Sequence, residues 1–372
     1  MTADSPPSPA LRPLQVGEPA PTFVAKSDTS LAFDFSTVAG CWTVLLFFGT
    51  LSVPQGREAH DRILARRALF DDQDAMFFGV SIDPADKTAH GLANSMPGLR
   101  YFWDFDRAVS RAYGAVVGPA LRPTAVLLDR AGRVAAVVPA SRVDSLLDLL
   151  QRQVEADRLS QPEQFAPVLC VPRIFEPEFC AALIGYYAAD GGKRSGYMTE
   201  RDGRTVAVTD DRHKRRSDVY VQDEGLQAQL KDRVVHRLLP MIDRAFGWRP
   251  SRFERYLISC YSGEERGFFF PHRDNATAGT AHRRLAVTVN LNAEDHEGGA
   301  LRFPEFGGRL YKPPTGGAVV FGCGLMHEAT PVTAGVRYAF LPFLYDEEGE
   351  RLRAANRAKV ETTAPDTDTR LG

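Results

Sequence analysis

The stretch Cys260-Tyr-Ser-Gly-Glu-Glu-Arg-Gly-Phe-Phe-Phe-Pro-His-Arg-Asp-Asn275 holds His272-Arg273-Asp274, the only His-x-Asp among eight histidines. Residues two apart on a strand point to the same side, so both side chains could reach one ion. By itself the tripeptide is weak, because a histidine beside an aspartate is more often an exposed or hydrogen-bonded pair. Its surroundings decide. From Phe253 onward the chain reads as short strands separated by Gly, Pro, Asn and Asp: Arg255–Tyr261, Leu285–Leu291, Ala300–Phe303, Gly317–Phe321 and Val336–Tyr345. Two helices precede them, Glu176–Ala188 and Asp223–Phe246. The second carries an apolar stripe of Leu226, Leu230, Val234, Leu238 and Ile242, with Gly247 placed to end it. Helices followed by a run of strands predict an α+β domain with a double-stranded β-helix (jelly-roll) core.

A later histidine, His327, follows the strand pattern Gly316–Phe321. Two imidazoles and one carboxylate on one face of an octahedral ion leave three positions open, the facial arrangement of non-haem iron(II) oxygenases. A keto acid would fill two of them and O₂ the third. The distal carboxylate of such a keto acid calls for a planar, permanently charged donor. Arg337 lies in Val336-Arg337-Tyr338-Ala339-Phe340-Leu341, where alternation puts Arg337, Ala339 and Leu341 on one face. An arginine on an apolar face needs an anion; pairing with a protein carboxylate is the alternative reading.

At this point the chain resembles the prolyl 4-hydroxylase-like family of 2-oxoglutarate oxygenases. The resemblance runs in order through Cys260–Asn275, Val289–Asn292, Gly298–Pro304, Pro313–Phe321, His327, Pro331–Thr333, Gly335 and Arg337–Tyr338, within about Phe165 to Asp346. It implies His272, Asp274 and His327 as ligands of Fe(2+), and Arg337 on the C5 carboxylate of 2-oxoglutarate. It implies O₂ as co-substrate, succinate as co-product, and L-ascorbate as an accessory reductant. Tyr261 matches a tyrosine that flanks the co-substrate in some members. Where some members place a second tyrosine, this chain has Asn290, expected to offer a hydrogen bond to the co-substrate. With Asp274 present, hydroxylation is implied over halogenation. Phe343 stands where the nucleic-acid demethylase branch has a second arginine, so no nucleic acid is expected as a partner. The expected substrate is a peptidyl (prolyl-type) residue, an amino-acid-like molecule or another small molecule. The charged run Asp210–Asp218 reads either as a substrate-facing loop or as a solvated, self-neutralising turn. The glycines beside it (Gly191, Gly192, Gly196, Gly203) suggest a mobile lid more than a fixed element.

The first half has a different grammar. Strand patterns at Trp42–Phe48, Met76–Ile82, Ala125–Asp129 and Arg133–Val138 alternate with helical stretches at Arg57–Phe70 and Ser141–Val154, predicting an α/β layer around a mixed sheet. Val16–Phe23, Leu45–Phe48 and Arg122–Val134 resemble a peroxiredoxin, which implies a thioredoxin-like fold over about Leu14 to Gln153. Peroxide chemistry needs an activated thiolate, yet the position of the reactive cysteine carries Gln55. Cys41, the only thiol of this half, precedes the first long strand and reads as a small buried residue. Arg122 matches the family's peroxide-orienting arginine and has no thiol to serve. This half is expected to dock a partner, form a homodimer or present substrate.

At 372 residues the chain suits two domains. The expected divisions are a disordered arm at 1–13, the peroxiredoxin-like domain at 14–157, a linker at 158–167, the oxygenase domain at 168–350 and a disordered tail at 351–372. A net charge of −2 gives no general pull toward nucleic acid or anionic membrane, and no apolar run is long enough to span a bilayer. Five scattered cysteines without a Cys-x-x-Cys pair argue against a disulfide framework and a structural zinc site; a reducing cytoplasm fits. Two other functions stay open: a sensor that holds iron and 2-oxoglutarate with little turnover, and a thiol-peroxidase-linked antioxidant protein, against which Gln55 speaks.

Overall fold

A computed structural model describes residues 14–160, 165–201, 203–361 and 368–371. The expected arm at 1–13 lies outside these. The chain divides into two compact units, Met1–Glu163 with Pro304–Gly307, and Gln164–Phe303 with Gly308–Gly372.

In the first unit, five strands lie in the order Leu99–Trp103, Ala75–Ser81, Trp42–Gly49, Thr124–Leu128, Val134–Pro139. The first three are parallel, and the last two join antiparallel. The run Trp42–Gly49 is buried throughout because the sheet is covered on both faces. Val44, Leu46 and Phe48 pack with Ile63, Leu146, Leu147 and Leu150 of the helices Pro54–Ala65 and Val143–Ser160. Leu45 and Phe47 face the other way, toward Phe35, Phe102 and Val109. This is the α/β thioredoxin-like arrangement anticipated from the sequence.

In the second unit, consecutive strands alternate between two antiparallel sheets. Leu257–Ser262, Leu285–Asn290, Ala318–Gly322 and Val332–Phe340 belong to the larger sheet, and Phe268–His272, Leu301–Arg302 and His327–Ala329 to the smaller. Strand by strand alternation of this kind is a jelly roll. The outer face of the larger sheet carries the helices. Leu230, Val234, Leu238 and Ile242 are fully buried there against Val287, Val289 and Val320, and Leu226 is partly buried at the edge. Asp223 caps the start, its carboxylate accepting from Leu226 N at 2.6 Å, and Gly247 ends the helix with φ +61°.

Several local readings need correction. The helix from Glu224 to Phe246 is not uniformly α: a π turn occupies Val234–Leu238, just ahead of Pro240, whose missing N–H and ring would clash in a regular α turn. The strand expected over Val336–Tyr345 is two strands, Val332–Phe340 and Phe343–Tyr345, broken at Leu341-Pro342. The segment expected as a linker is helical as far as Ser160. The tail expected to be disordered from 351 is structured in its described residues. A helix covers Glu347–Asn356, Val360–Glu361 pairs with Thr205–Val206, and Asp368–Arg370 pairs with Arg252–Glu254. Leu371, buried in the helical core, gives this apparently polar tail its anchor. The presumed lid contains an antiparallel hairpin, Tyr197–Arg201 with Arg204–Val208. Among the described residues, no helix is long and apolar enough to cross a membrane.

Candidate metal centre and co-substrate pocket

The smaller sheet brings His272 opposite His327. Between Phe269 and His272 the pairing slips, so that three steps on one strand oppose two on the other (Phe269 with Ala329, His272 with His327). Pro271 sits in that bulge, where its missing N–H costs no ladder bond. Asp274 is not on the strand. It occupies the turn that follows, fixed by its own N–H donating to the Cys323 carbonyl at 3.0 Å. Strand alternation is therefore not what puts His272 and Asp274 together; a bulge and a tethered turn do it.

The three side chains converge with their candidate ligand atoms within 4.8 Å of one another. His272 Nε2 lies 3.6 Å from Asp274 Oδ1, and His327 Nε2 lies 3.3 Å from Asp274 Oδ2. Each imidazole has its other nitrogen on a main-chain carbonyl: His272 Nδ1 on Phe270 O at 2.7 Å, His327 Nδ1 on Leu325 O at 3.0 Å. Donation from Nδ1–H leaves both Nε2 lone pairs facing Asp274, the tautomer a metal ligand needs. Burial, with His327 alongside, holds the His272 pKa down to about 4, which keeps that ring neutral. Burial alone would raise Asp274, but the His327 and His272 rings outweigh it and keep the carboxyl well below its usual value. Two imidazoles and a carboxylate fit a divalent iron.

Arg337 projects from the facing sheet into the same cavity, paired across the ladder with Tyr261. It is 2% exposed, and its Nε and Nη1 have no hydrogen-bond partner. Its guanidinium lies 4.8 Å from the Tyr261 ring centre. The alternative of a paired protein carboxylate is absent among the described residues, so a buried cation stands ready for an external anion. Gly299 makes the room: φ is +64°, and a Cβ there would stand 2.8 Å from Arg337 Cδ.

The structure brings His272, Asp274, His327, Tyr261 and Arg337 around one cavity. Asn290 is different. Its side-chain amide donates to the Pro313 carbonyl at 2.7 Å, it is absent from the cavity wall, and Thr288 lines the wall from the same strand. The expected co-substrate bond from Asn290 therefore gives way to a turn-holding role. The charged run Asp210–Asp218 is partly self-neutralising, with Arg212 on Asp210 at 3.1 Å, but it is not simply solvated. His213, Lys214 and Arg216 line the cavity, Lys214 and Arg216 are buried, and Arg216 pairs with Asp218 at 2.7 Å. Sequence reasoning missed Arg255 and Arg283, which also reach the wall. It also missed His296, buried with both ring nitrogens unpartnered, whose pKa is lowered to about 4 by burial and then by the nearby Lys312 and Arg337. Arginines scattered over separate connections between strands leave no linear pattern to read.

In the first unit, Gln55 is exposed on the first turn of the helix Pro54–Ala65, and Arg122 is exposed as well. Cys41 is buried, its Sγ donating to the Gln73 carbonyl at 3.1 Å, and burial pushes its pKa up to about 11. No activated thiolate exists at this site among the described residues.

Comparison with known proteins agrees with both halves. Residues 256–345 match the model of the 2OG-Fe(II) oxygenase superfamily, and residues 16–137 that of the AhpC/TSA family. A PKHD-type hydroxylase from Synechococcus sp. is 35% identical over 98 residues, covering 24% of this chain and 42% of the relative. The chain thus spans less than half the length of that curated relative. Among solved structures, a prolyl hydroxylase from Trichoplax adhaerens, in complex with a hypoxia inducible factor oxygen degradation domain peptide fragment, is 17% identical. The match covers 55% of this chain and 96% of that one at a TM-score of 0.40. The bacterioferritin comigratory protein of Xanthomonas campestris is 20% identical over 38% of this chain and 99% of its own, with a TM-score of 0.32. The chain thus joins a stretch that matches the AhpC/TSA family to one that matches the 2OG-Fe(II) oxygenase superfamily.

Proposed function

We propose that the C-terminal unit is an Fe(II)/2-oxoglutarate-dependent dioxygenase that hydroxylates a peptidyl (prolyl-type) or amino-acid-like substrate. The observation that carries this reading is Arg337, a buried guanidinium with no carboxylate partner among the described residues and with Nε and Nη1 unbonded, in the cavity that gathers His272, Asp274 and His327. When bound, iron(II) with O₂ and the keto acid supplies the oxidising chemistry, in which 2-oxoglutarate is decarboxylated to succinate and one oxygen atom passes to the substrate. His272, Asp274 and His327 would hold the ion on one face and leave the opposite face to reactants. Arg337 anchors the distal carboxylate, and the Tyr261 ring packs against Arg337 and limits where the co-substrate can lie. Phe321, Leu301 and Ala329 keep the surrounding wall apolar. The relatives' description as PKHD-type hydroxylases supports hydroxylation as the reaction. L-ascorbate as accessory reductant, a cytoplasmic setting, the absence of a nucleic-acid partner, and homodimer formation or docking through the N-terminal unit complete the proposal. Succinate should form from 2-oxoglutarate with Fe(II) and O₂, and its formation should vanish in His272→Ala. Wild-type protein that neither binds iron nor consumes 2-oxoglutarate would sink the reading.

A further inference from the structure

The cavity wall carries far more positive charge than the proposed metal and co-substrate require. Lys214, Arg216, Arg255, Arg273, Arg283 and Arg337 all reach it, against one carboxylate, Asp274. Some of this is compensated within the protein. Arg216 has Asp218 at 2.7 Å, and Arg283 has Glu254 at 2.6 Å. The charges of an iron(II) ion, Asp274, a 2-oxoglutarate dianion and Arg337 cancel among themselves. Arg273 donates to the Gly324 carbonyl. Of the remaining cations, Lys214 and Arg255 make no ion pair with a carboxylate among the described residues.

Lys214 is 3% exposed, and its ammonium donates only to neutral acceptors, Ser195 Oγ at 2.7 Å and the Gly196 carbonyl at 2.6 Å. The Nζ stands 4.8 Å from the centre of the Phe269 ring, the ring that stacks on His272. Arg255 lies over the Phe343 ring at 4.2 Å, beside Arg283 at 4.0 Å on the same ring, and Arg283 reaches the Asp274 carbonyl at 3.4 Å. The Nε of Arg255 has no partner, and its Nη2 makes one long bond, 3.4 Å, to the Leu341 carbonyl. Its backbone has φ +70°, a conformation that costs a non-glycine residue on the order of 1 kcal/mol and is kept where function needs the side chain. Burial, with Arg216 and Arg255 nearby, holds Lys214 well below the usual lysine pKa, and Asp218 and Asp274 only partly offset this. Arg337 lies against Tyr261, whereas Arg255 lies against Phe343 beside Arg283, so the two guanidinium groups are held by different rings.

We propose that Lys214 and Arg255 form a second anion subsite, which recognises a carboxylate on the substrate to be hydroxylated. This rests on the oxygenase reading and narrows it: the substrate is an acid, a free amino-acid derivative or a peptide whose carboxylate lies close to the reacting carbon. Through Ser195 and Gly196, Lys214 also ties the subsite to the base of the Tyr197–Val208 hairpin, so an acid group would be felt where that hairpin joins the cavity.

The test is calorimetric and needs no turnover. Protein is loaded anaerobically with Mn(II), a redox-silent substitute for iron, and saturating 2-oxoglutarate, then titrated with N-acetyl-L-proline or N-acetyl-L-prolinamide. The acid should bind at least about tenfold more tightly than the amide, as one charge-assisted contact would give. Arg255→Met and Lys214→Met should each abolish that preference, and Arg255→Lys should restore part of it. Far-UV circular dichroism and thermal melting establish that each variant is folded, and the acid–amide comparison on the wild type needs no variant. Equal affinity for acid and amide, a preference that survives in both methionine variants, or no binding of either probe up to about 10 mM overturns the subsite. If 2-oxoglutarate itself fails to bind the manganese-loaded wild type, the oxygenase reading falls and takes the subsite with it. If 2-oxoglutarate binds and the acid has no advantage, only the subsite falls.

Discussion

Arg337 and the Glu254 cluster show how a buried charge decides behaviour at the scale of one residue. Removing the Arg337 guanidinium forfeits charge-assisted hydrogen bonds worth about 1.5–3 kcal/mol each. Arg337→Met should therefore weaken 2-oxoglutarate binding by about a hundredfold or more, while binding of the metal alone, read by equilibrium dialysis, stays close to wild type. Glu254 is buried and accepts from His282 Nε2 at 2.9 Å and from Arg283 at 2.6 and 3.0 Å. Burial pushes its pKa up, yet Arg283 and His282 outweigh burial and hold the carboxyl well below its usual range. A depressed carboxyl contributes stability that is present above the unfolded value near 4.5 and is lost as pH falls toward the folded value. Denaturant midpoints of the wild type should thus decline as pH drops below 4.5. Glu254→Gln should be less stable at pH 7 by about 3–5 kcal/mol, because Arg283 loses its counter-charge, and its midpoint should vary less over the acid range. Chemical denaturation at several pH values checks both.

Among the elements, those with strong periodicity were legible and those set by single contacts were not. The apolar stripe from Leu226 to Ile242 and the run Trp42–Phe48 declared their burial, since each has a spacing that only one packing satisfies. The π turn before Pro240, the bulge at Pro271 and the break at Pro342 left their prolines in the sequence, but not the geometry each would take. Asn290 misled because its identity permits a hydrogen bond to any carbonyl, and the Pro313 carbonyl was nearer than the cavity. The polar tail misled because composition averages over residues, whereas one buried Leu371 is enough to dock it. Leu371→Ala should cost about 2–4 kcal/mol, read as a lower melting temperature of the C-terminal unit. The glycine pair 298–299 was legible as a motif, and its reason is steric. Gly299→Ala sets a methyl against Arg337 Cδ in an unfavourable φ, and should raise the 2-oxoglutarate KM by about tenfold in a succinate-release assay.

For the whole molecule, both family resemblances were legible because many spaced motifs had to agree, while the cavity's charge was not, since its cations come from separate strands and loops that only the folded chain assembles. The first unit has a thioredoxin-like arrangement, with Gln55 where the resemblance leads one to expect the reactive cysteine and a thiol, Cys41, that burial holds protonated at neutral pH. Peroxide consumption with thiol reductants should be no faster than in the absence of protein. Iodoacetamide at pH 8 should modify the exposed Cys170 well before Cys41, by mass spectrometry of the native protein.

The alternation of strands between two sheets has one more consequence. The candidate metal ligands come from the smaller sheet and the turn that follows it, and Arg337 and Tyr261 from the larger. A molecule that holds the ion at one end and Arg337 at the other is a rivet through two plates. Metal alone loads one plate; metal and keto acid together clamp both. The rise in melting temperature with both should exceed the sum of the separate rises, and by reciprocity the keto acid should tighten the metal by the factor with which the metal tightens the keto acid.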